Sequence, residues 1–209
     1  LMSMRTAIAA IVLALAVHAP SAPRYQESFM NLPASTSAFE NRFDLNGDGR
    51  NDVVAVFQRR ILIFFQTSRN TFPSAPDVEI GAGKPIPETY AAIAVGKVSA
   101  EPGLQLLFVG PNGVDYLSAT QLSGSAAEPV EPKPLLRRKF EITSGPNLVF
   151  LDAALDVDGD GNTELVLPNS DLLEIYRADA QMTYQPGPRV SLPMSTMQET
   201  RLRVEPAVL

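Results

Sequence analysis

The chain has 209 residues, 45% of them apolar and 19% charged, a content that suits a globular domain with a buried core and excludes an intrinsically disordered chain. Its formal charge is −6, with 23 acidic against 17 basic residues, which argues against nucleic acid as a partner. Cys and Trp are absent and the single His is His18, so disulfides, thiol chemistry and most imidazole-based catalysis are excluded together.

The first residues read as a targeting signal. Met4-Arg5, the apolar run Ala7 to Val17 and the small residues Ala19 to Ala22 predict a secretory signal peptide over residues 1–22, removed from the mature protein. The run is shorter than the ~20 residues a membrane helix needs, so no membrane span is expected after cleavage. An exported chain without disulfides is expected to be extracytoplasmic: periplasmic, cell-surface or secreted. Arg24 to Thr36 then reads as a lead-in around a small apolar island, Phe29 to Leu32.

Phe39 to Phe43 predicts a strand that runs into Asp44-Leu45-Asn46-Gly47-Asp48-Gly49-Arg50-Asn51-Asp52. Asp44, Asn46, Asp48 and Asp52 stand at loop positions 1, 3, 5 and 9, with Gly49 at 6 for the sharp turn and Arg50 at 7, which offers its carbonyl. Calcium takes about 6 to 8 oxygen ligands, and this spacing supplies them from one tight loop. An EF-hand would carry Glu at position 12 and continue as a helix; here position 12 is Ala55, within the β-branched strand Val53 to Phe57. Arg60 to Thr67 and Pro73 to Ile80 predict two further strands.

A second unit follows, with strands over 91–98, 104–109 and 114–118 and a hairpin signal at Asn112-Gly113. In the register of the first loop, Lys97, Ser99, Glu101, Gly103 and Gln105 take the ligand positions. Lys97 puts an ammonium group where the metal would sit, so this loop is expected to bind no ion, with Glu101 pairing that ammonium instead. Ser123 to Pro134 is a linker rich in Pro, Ser and Glu, and Leu135 to Ile142 predicts a strand.

Residues 148–155 lead into Asp156-Val157-Asp158-Gly159-Asp160-Gly161-Asn162-Thr163-Glu164, which repeats the first loop with Glu in place of Asp at position 9. Leu172 to Arg177 and Met182 to Val190 complete the third unit, and the loop starts at 44, 97 and 156 set the repeat. The bland alternative, solvated acidic turns, accounts for the composition but not for the same register occurring twice.

The two loops with their following strands, FDLNGDGRNDVVAVF and LDVDGDGNTELVLP, resemble the FG-GAP or VCBS-type repeat of integrin-alpha-like β-propellers. The resemblance implies an all-β partial propeller of about three four-stranded blades, spanning roughly 37–82, 88–142 and 146–192 within the segment 23–209. It also implies two structural calcium sites, one held by Asp44, Asn46, Asp48, the Arg50 carbonyl and Asp52, the other by Asp156, Asp158, Asp160, the Asn162 carbonyl and Glu164. A propeller typically closes with 4 to 8 blades, so the chain is expected to be truncated after residue 209.

No catalytic motif accompanies the loops. GxSxG, HExxH and phosphate-loop patterns are absent, and no catalytic residue is assigned. Arg59-Arg60 and Arg137-Arg138-Lys139 read as solvated strand edges. The expected function is a calcium-stabilised scaffold or adhesion module for a protein or a surface glycan. The alternative is the non-catalytic part of a larger secreted propeller enzyme whose active site lies outside this chain.

Overall fold

The computed structural model describes residues 30–33, 36, 38–122 and 131–192. The expected signal peptide over residues 1–22, most of the expected linker 123–134 and residues 193–209 lie outside the described residues.

Three antiparallel meanders make up the described chain. β1 (Ala38–Phe43), β2 (Asp52–Phe57), β3 (Arg60–Phe64) and β4 (Val78–Ile80) form the first sheet in chain order. β5 (Ala92–Gly96), β6 (Gln105–Gly110), β7 (Gly113–Leu117) and β8 (Lys133–Arg137) form the second, and β9 (Val149–Phe150) joins its β5 edge in parallel. β10 (Ala154–Leu155), β11 (Glu164–Asn169), β12 (Leu172–Ala178) and β13 (Tyr184–Ser191) form the third. Among the described residues the protein is all-β but for one helical turn.

Strand alternation explains how the sheets stack, because successive side chains point to opposite faces. In β2, Val54 and Val56 join Ile93, Val95, Leu106 and Phe108 of the second sheet in one core, while Val53 and Ala55 point the other way. That back face of the first sheet is closed by Met30, Leu32 and Phe72. The second sheet offers its opposite face, through Ala92, Ala94, Leu107 and Val109, to Leu165, Leu167 and Tyr176 of the third. Gly96 marks the closest approach: a Cβ built on it would lie 2.2 Å from the Ala154 Cβ.

The structure departs from the sequence expectation in four places. The segment 148–155, expected to lead only into the third unit, divides between β9 on the second sheet and β10 on the third, so the sheets have four, five and four strands. β8 stops at Arg137, short of Ile142, because Arg138 turns to Glu174 and Phe140 packs edge-on against Tyr176 with ring centroids 6.1 Å apart. A short helix, α1 (Ala119–Leu122), was not foreseen. Its signal is the capping box Ser118-x-x-Gln121: the Ser118 N–H donates to the Gln121 side-chain Oε1 at 3.1 Å, and the Gln121 N–H donates to the Ser118 hydroxyl at 3.3 Å.

The fourth departure concerns the basic pairs read as solvated edges. Arg59 is buried, and its guanidinium donates to the carbonyls of Ile86 at 2.6 Å, Gly145 at 2.8 Å, Tyr90 at 2.6 Å and also Pro87. It ties the end of the first unit to the loops that flank the second. Arg138 likewise crosses from the second unit to the third, donating to both carboxylate oxygens of Glu174.

Candidate metal centre

In both Asp loops, position 1 organises the turn. Asp44 Oδ1 accepts the N–H groups of Gly47 at 2.7 Å and Asp48 at 3.0 Å, and its Oδ2 accepts that of Gly49 at 2.8 Å. Asp156 repeats the arrangement, with Gly159 N–H at 2.8 Å on Oδ1 and Gly161 N–H at 3.0 Å on Oδ2. Such a wrap requires positive φ at two alternate residues, and glycine fills all four places: Gly47 at 77°, Gly49 at 81°, Gly159 at 77° and Gly161 at 88°. The sequence reading assigned this role to position 6 alone; position 4 shares it.

Position 9 has a structural duty besides any metal ligation. Asp52 Oδ2 accepts the Leu45 N–H at 2.9 Å while Oδ1 accepts the Gln66 N–H at 3.0 Å, and Glu164 Oε2 accepts the Val157 N–H at 2.8 Å. In the middle loop, Gln105 Oε1 accepts the equivalent Val98 N–H at 2.8 Å. All three position-9 side chains are buried, and each clamps the backbone of position 2. Burial pushes the Asp52 carboxyl above its ordinary range, against the lowering effect of its backbone hydrogen bonds.

The two loops differ in which charges converge. Asp156, Asp158 and Glu164 each place a carboxylate oxygen within 4.8 Å of the others, a group able to hold a metal ion. Asp160 is outside it, exposed, with its carboxyl held below the usual range chiefly by the Asn162 N–H, which donates to Oδ1 at 2.8 Å. Asp158 also accepts an ion pair from Arg177 at 3.0 Å. In the first loop, position 3 is the neutral Asn46, and Asp48 Oδ2 takes the Arg50 guanidinium at 2.5 Å and the Asn46 amide at 3.0 Å. Asp44, Asp48 and Asp52 do not form a comparably tight carboxylate group. Three carboxylates this close repel one another unless a cation sits between them, and an all-oxygen set suits a hard divalent ion.

The middle loop carries its own cation. Lys97 Nζ donates to the carbonyls of Glu101 and, at 3.2 Å, Gly103, the residues at positions 5 and 7. The expected Lys97–Glu101 side-chain pair is therefore corrected: the Glu101 carboxylate turns to Lys133, 3.3 Å away, and Lys97 takes main-chain oxygens. Pro102 at position 6 has its φ fixed by the ring, so the left-handed residue moves to Gly103 at 75°. Gly103 also lies against the first loop, where a Cβ added to it would come 2.4 Å from the Leu45 carbonyl oxygen.

Beside the first loop is an open polar depression of about 410 Å³ lined by Asn41, Arg50, Asn51, Gln66, Arg69 and Phe72. Among the described residues no helix is long and apolar enough to cross a membrane. No family model, curated protein or solved structure matches the chain.

Proposed function

We propose that the protein is a calcium-stabilised, extracytoplasmic β-propeller segment of the FG-GAP or VCBS type, acting as a scaffold or binding module for a protein or surface glycan. The observation that carries the reading is the shared geometry of the two Asp loops. Each wraps its backbone around the position-1 carboxylate and anchors position 9 in the base, and the third-unit loop gathers Asp156, Asp158 and Glu164 within 4.8 Å. Because these ligands come from a loop wedged between strands, the ion's role is structural. It joins β10 to β11 and fixes the start of the strand that feeds the core. Asp44, Asn46, Asp48, Asp52 and the Arg50 carbonyl would hold the first ion, and Asp156, Asp158, Asp160, Glu164 and the Asn162 carbonyl the second.

A ligand that binds only the folded state adds RT ln(1 + [L]/Kd), about 2.7 kcal/mol per site at a hundredfold excess over Kd. Extracellular calcium modules bind in the range of about 10⁻⁴ to 10⁻³ M, so thermal melting in chelator against millimolar calcium is the direct test. A higher Tm in calcium is expected, with calorimetry giving two ions per chain, one lost in Asp44→Ala and the other in Asp156→Ala. An unchanged Tm would reduce both loops to ordinary turns.

A further inference from the structure

The first repeat departs from the other two at one spot. Three residues before the loop, where the second and third units carry the buried Ala94 and Ala153, it has the exposed Asn41. Loop position 7 is Arg50 against Gly103 and Asn162, and position 8 is Asn51 against Leu104 and Thr163. The hairpin that follows β3 adds a second cation. The Thr67 N–H donates to the Thr71 carbonyl at 3.0 Å and the Thr71 N–H to the Ser68 carbonyl at 2.9 Å, with Asn70 left-handed at 58°, so a fixed turn carries Arg69 at its tip. The matching turn of the third sheet, where the Asp179 N–H donates to the Thr183 carbonyl at 3.0 Å and Met182 has φ 59°, carries Gln181 at that place and no cation.

These departures converge. Asn41, Arg50, Asn51, Gln66, Arg69 and Phe72 line one depression of about 410 Å³, within the range of roughly 300 to 1,000 Å³ that small-ligand sites occupy. The lining is tied down by the loop beside it. The Gln66 N–H donates to Asp52 Oδ1 at 3.0 Å and the Gln66 carbonyl accepts from Arg50 Nε at 2.8 Å, so loop positions 7 and 9 hold that residue from both sides. In β1 the pairing of Glu40 with Val54 and of Phe43 with Asp52 leaves an extra residue between them, a bulge at Asn41 and Arg42. Bulges of this kind re-aim a side chain next to a site.

The chemistry of the lining selects a ligand. Arg50 is committed to Asp48 and the Gln66 carbonyl, whereas Arg69 is exposed and, among the described residues, makes no hydrogen bond or ion pair. A free guanidinium fork takes a carboxylate bidentately. The side-chain amides of Asn41, Asn51 and Gln66 are likewise unbonded among the described residues. Each carries donors and an acceptor, the complement of sugar hydroxyls, which both donate and accept. Phe72, half-buried, offers an apolar surface to the C–H face of a sugar ring. We propose that this depression binds a uronic-acid unit of an acidic saccharide, with Arg69 taking the carboxylate and the three amides the ring hydroxyls. The proposal rests on the reading of the chain as a glycan-binding module, narrows it to one saccharide class, and requires neither candidate metal site to be filled. A chain of formal charge −6 repels a diffuse polyanion, so binding is short-range and set by Arg69.

Calorimetry of the full chain in millimolar calcium, titrated with a glucuronic acid disaccharide and with cellobiose as its neutral counterpart, tests this. One uronate site per chain is expected, at least about tenfold tighter than cellobiose, the worth of roughly one charge-assisted hydrogen bond. Arg69→Gln should abolish that preference. Asn41→Ala, which installs the residue of the other two repeats, should weaken the uronate severalfold. Both variants should keep the wild-type Tm, because neither side chain is bonded in the fold among the described residues. No binding at about 10 mM disaccharide, a concentration that reveals even a millimolar Kd, would overturn the proposal. So would binding indifferent to Arg69→Gln, or equally strong displacement by acetate or sulfate, the mark of a general anion patch. Cellobiose bound as tightly as the uronate would overturn it too, while leaving the glycan-binding reading in place. The calcium reading has a separate readout: uronate binding with a Tm that calcium leaves unchanged would sink the metal sites alone.

Discussion

Lys97 Nζ lies 3.2 Å from the carbonyl oxygen of Gly103, the position-7 oxygen that in the two Asp loops is expected to face a metal ion. The middle repeat keeps the loop and sets the Lys97 ammonium against the carbonyls of positions 5 and 7. Lys97→Met should therefore lower stability by about 1 to 3 kcal/mol, the cost of leaving the part-buried carbonyls of Glu101 and Gly103 unpaired, and by the same amount in chelator and in calcium. Glu101→Ala should leave the calcium titration at two ions, since its carboxylate serves Lys133. Denaturant unfolding in both buffers checks the first outcome and calorimetry the second. A Lys97→Met loss that calcium restores would show that the loop still binds an ion.

Position 9 separates clamping from charge. Asp52 uses both carboxylate oxygens to accept main-chain N–H groups, from Leu45 and Gln66, whereas among the described residues Glu164 accepts one, that of Val157, at Oε2. An amide has one acceptor oxygen, so Asp52→Asn should strand a buried donor and cost about 1 to 3 kcal/mol even in chelator. Glu164→Gln can keep its single bond, as Gln105 does at the same register. It should be close to neutral in chelator and lose stability only relative to wild type in calcium. Equal losses for the two variants in chelator would contradict the assignment.

The acid limb of stability should run through Glu174. Burial alone would raise its pKa, but hydrogen bonds from Tyr176 at 2.5 Å and Arg138 at 3.1 Å, with the Arg138 charge, outweigh burial and hold it below the ordinary value. Arg189 adds an ion pair at 3.2 Å. A depressed native pKa means a stabilising contribution that is fully present above the unfolded-state value of about 4.3 and lost as pH falls through the native one. Tm measured between about pH 6 and 3 should fall less steeply in Glu174→Gln than in the wild type. Parallel curves would place the acid sensitivity elsewhere.

What the sequence determined by itself was local. The two Asp loops are legible because their chemistry lies within nine consecutive residues: oxygen donors at fixed spacing, glycines where φ must be positive, and β-branched runs that can only leave as strands. The cation of the middle loop was legible too, because Lys97 occupies the first ligand position. Contacts between units were not. Arg59 and Arg138 look like surface charges in sequence, and only the stacking of sheets brings the carbonyls of Ile86, Tyr90 and Gly145, or the Glu174 carboxylate, within their reach. The split of 148–155 between two sheets depends on an open β5 edge more than fifty residues upstream. Whether an apolar strand face is covered is likewise beyond a linear pattern: Leu45 and Val157 hold the same register, and the difference in their burial comes wholly from which sheet lies next to each.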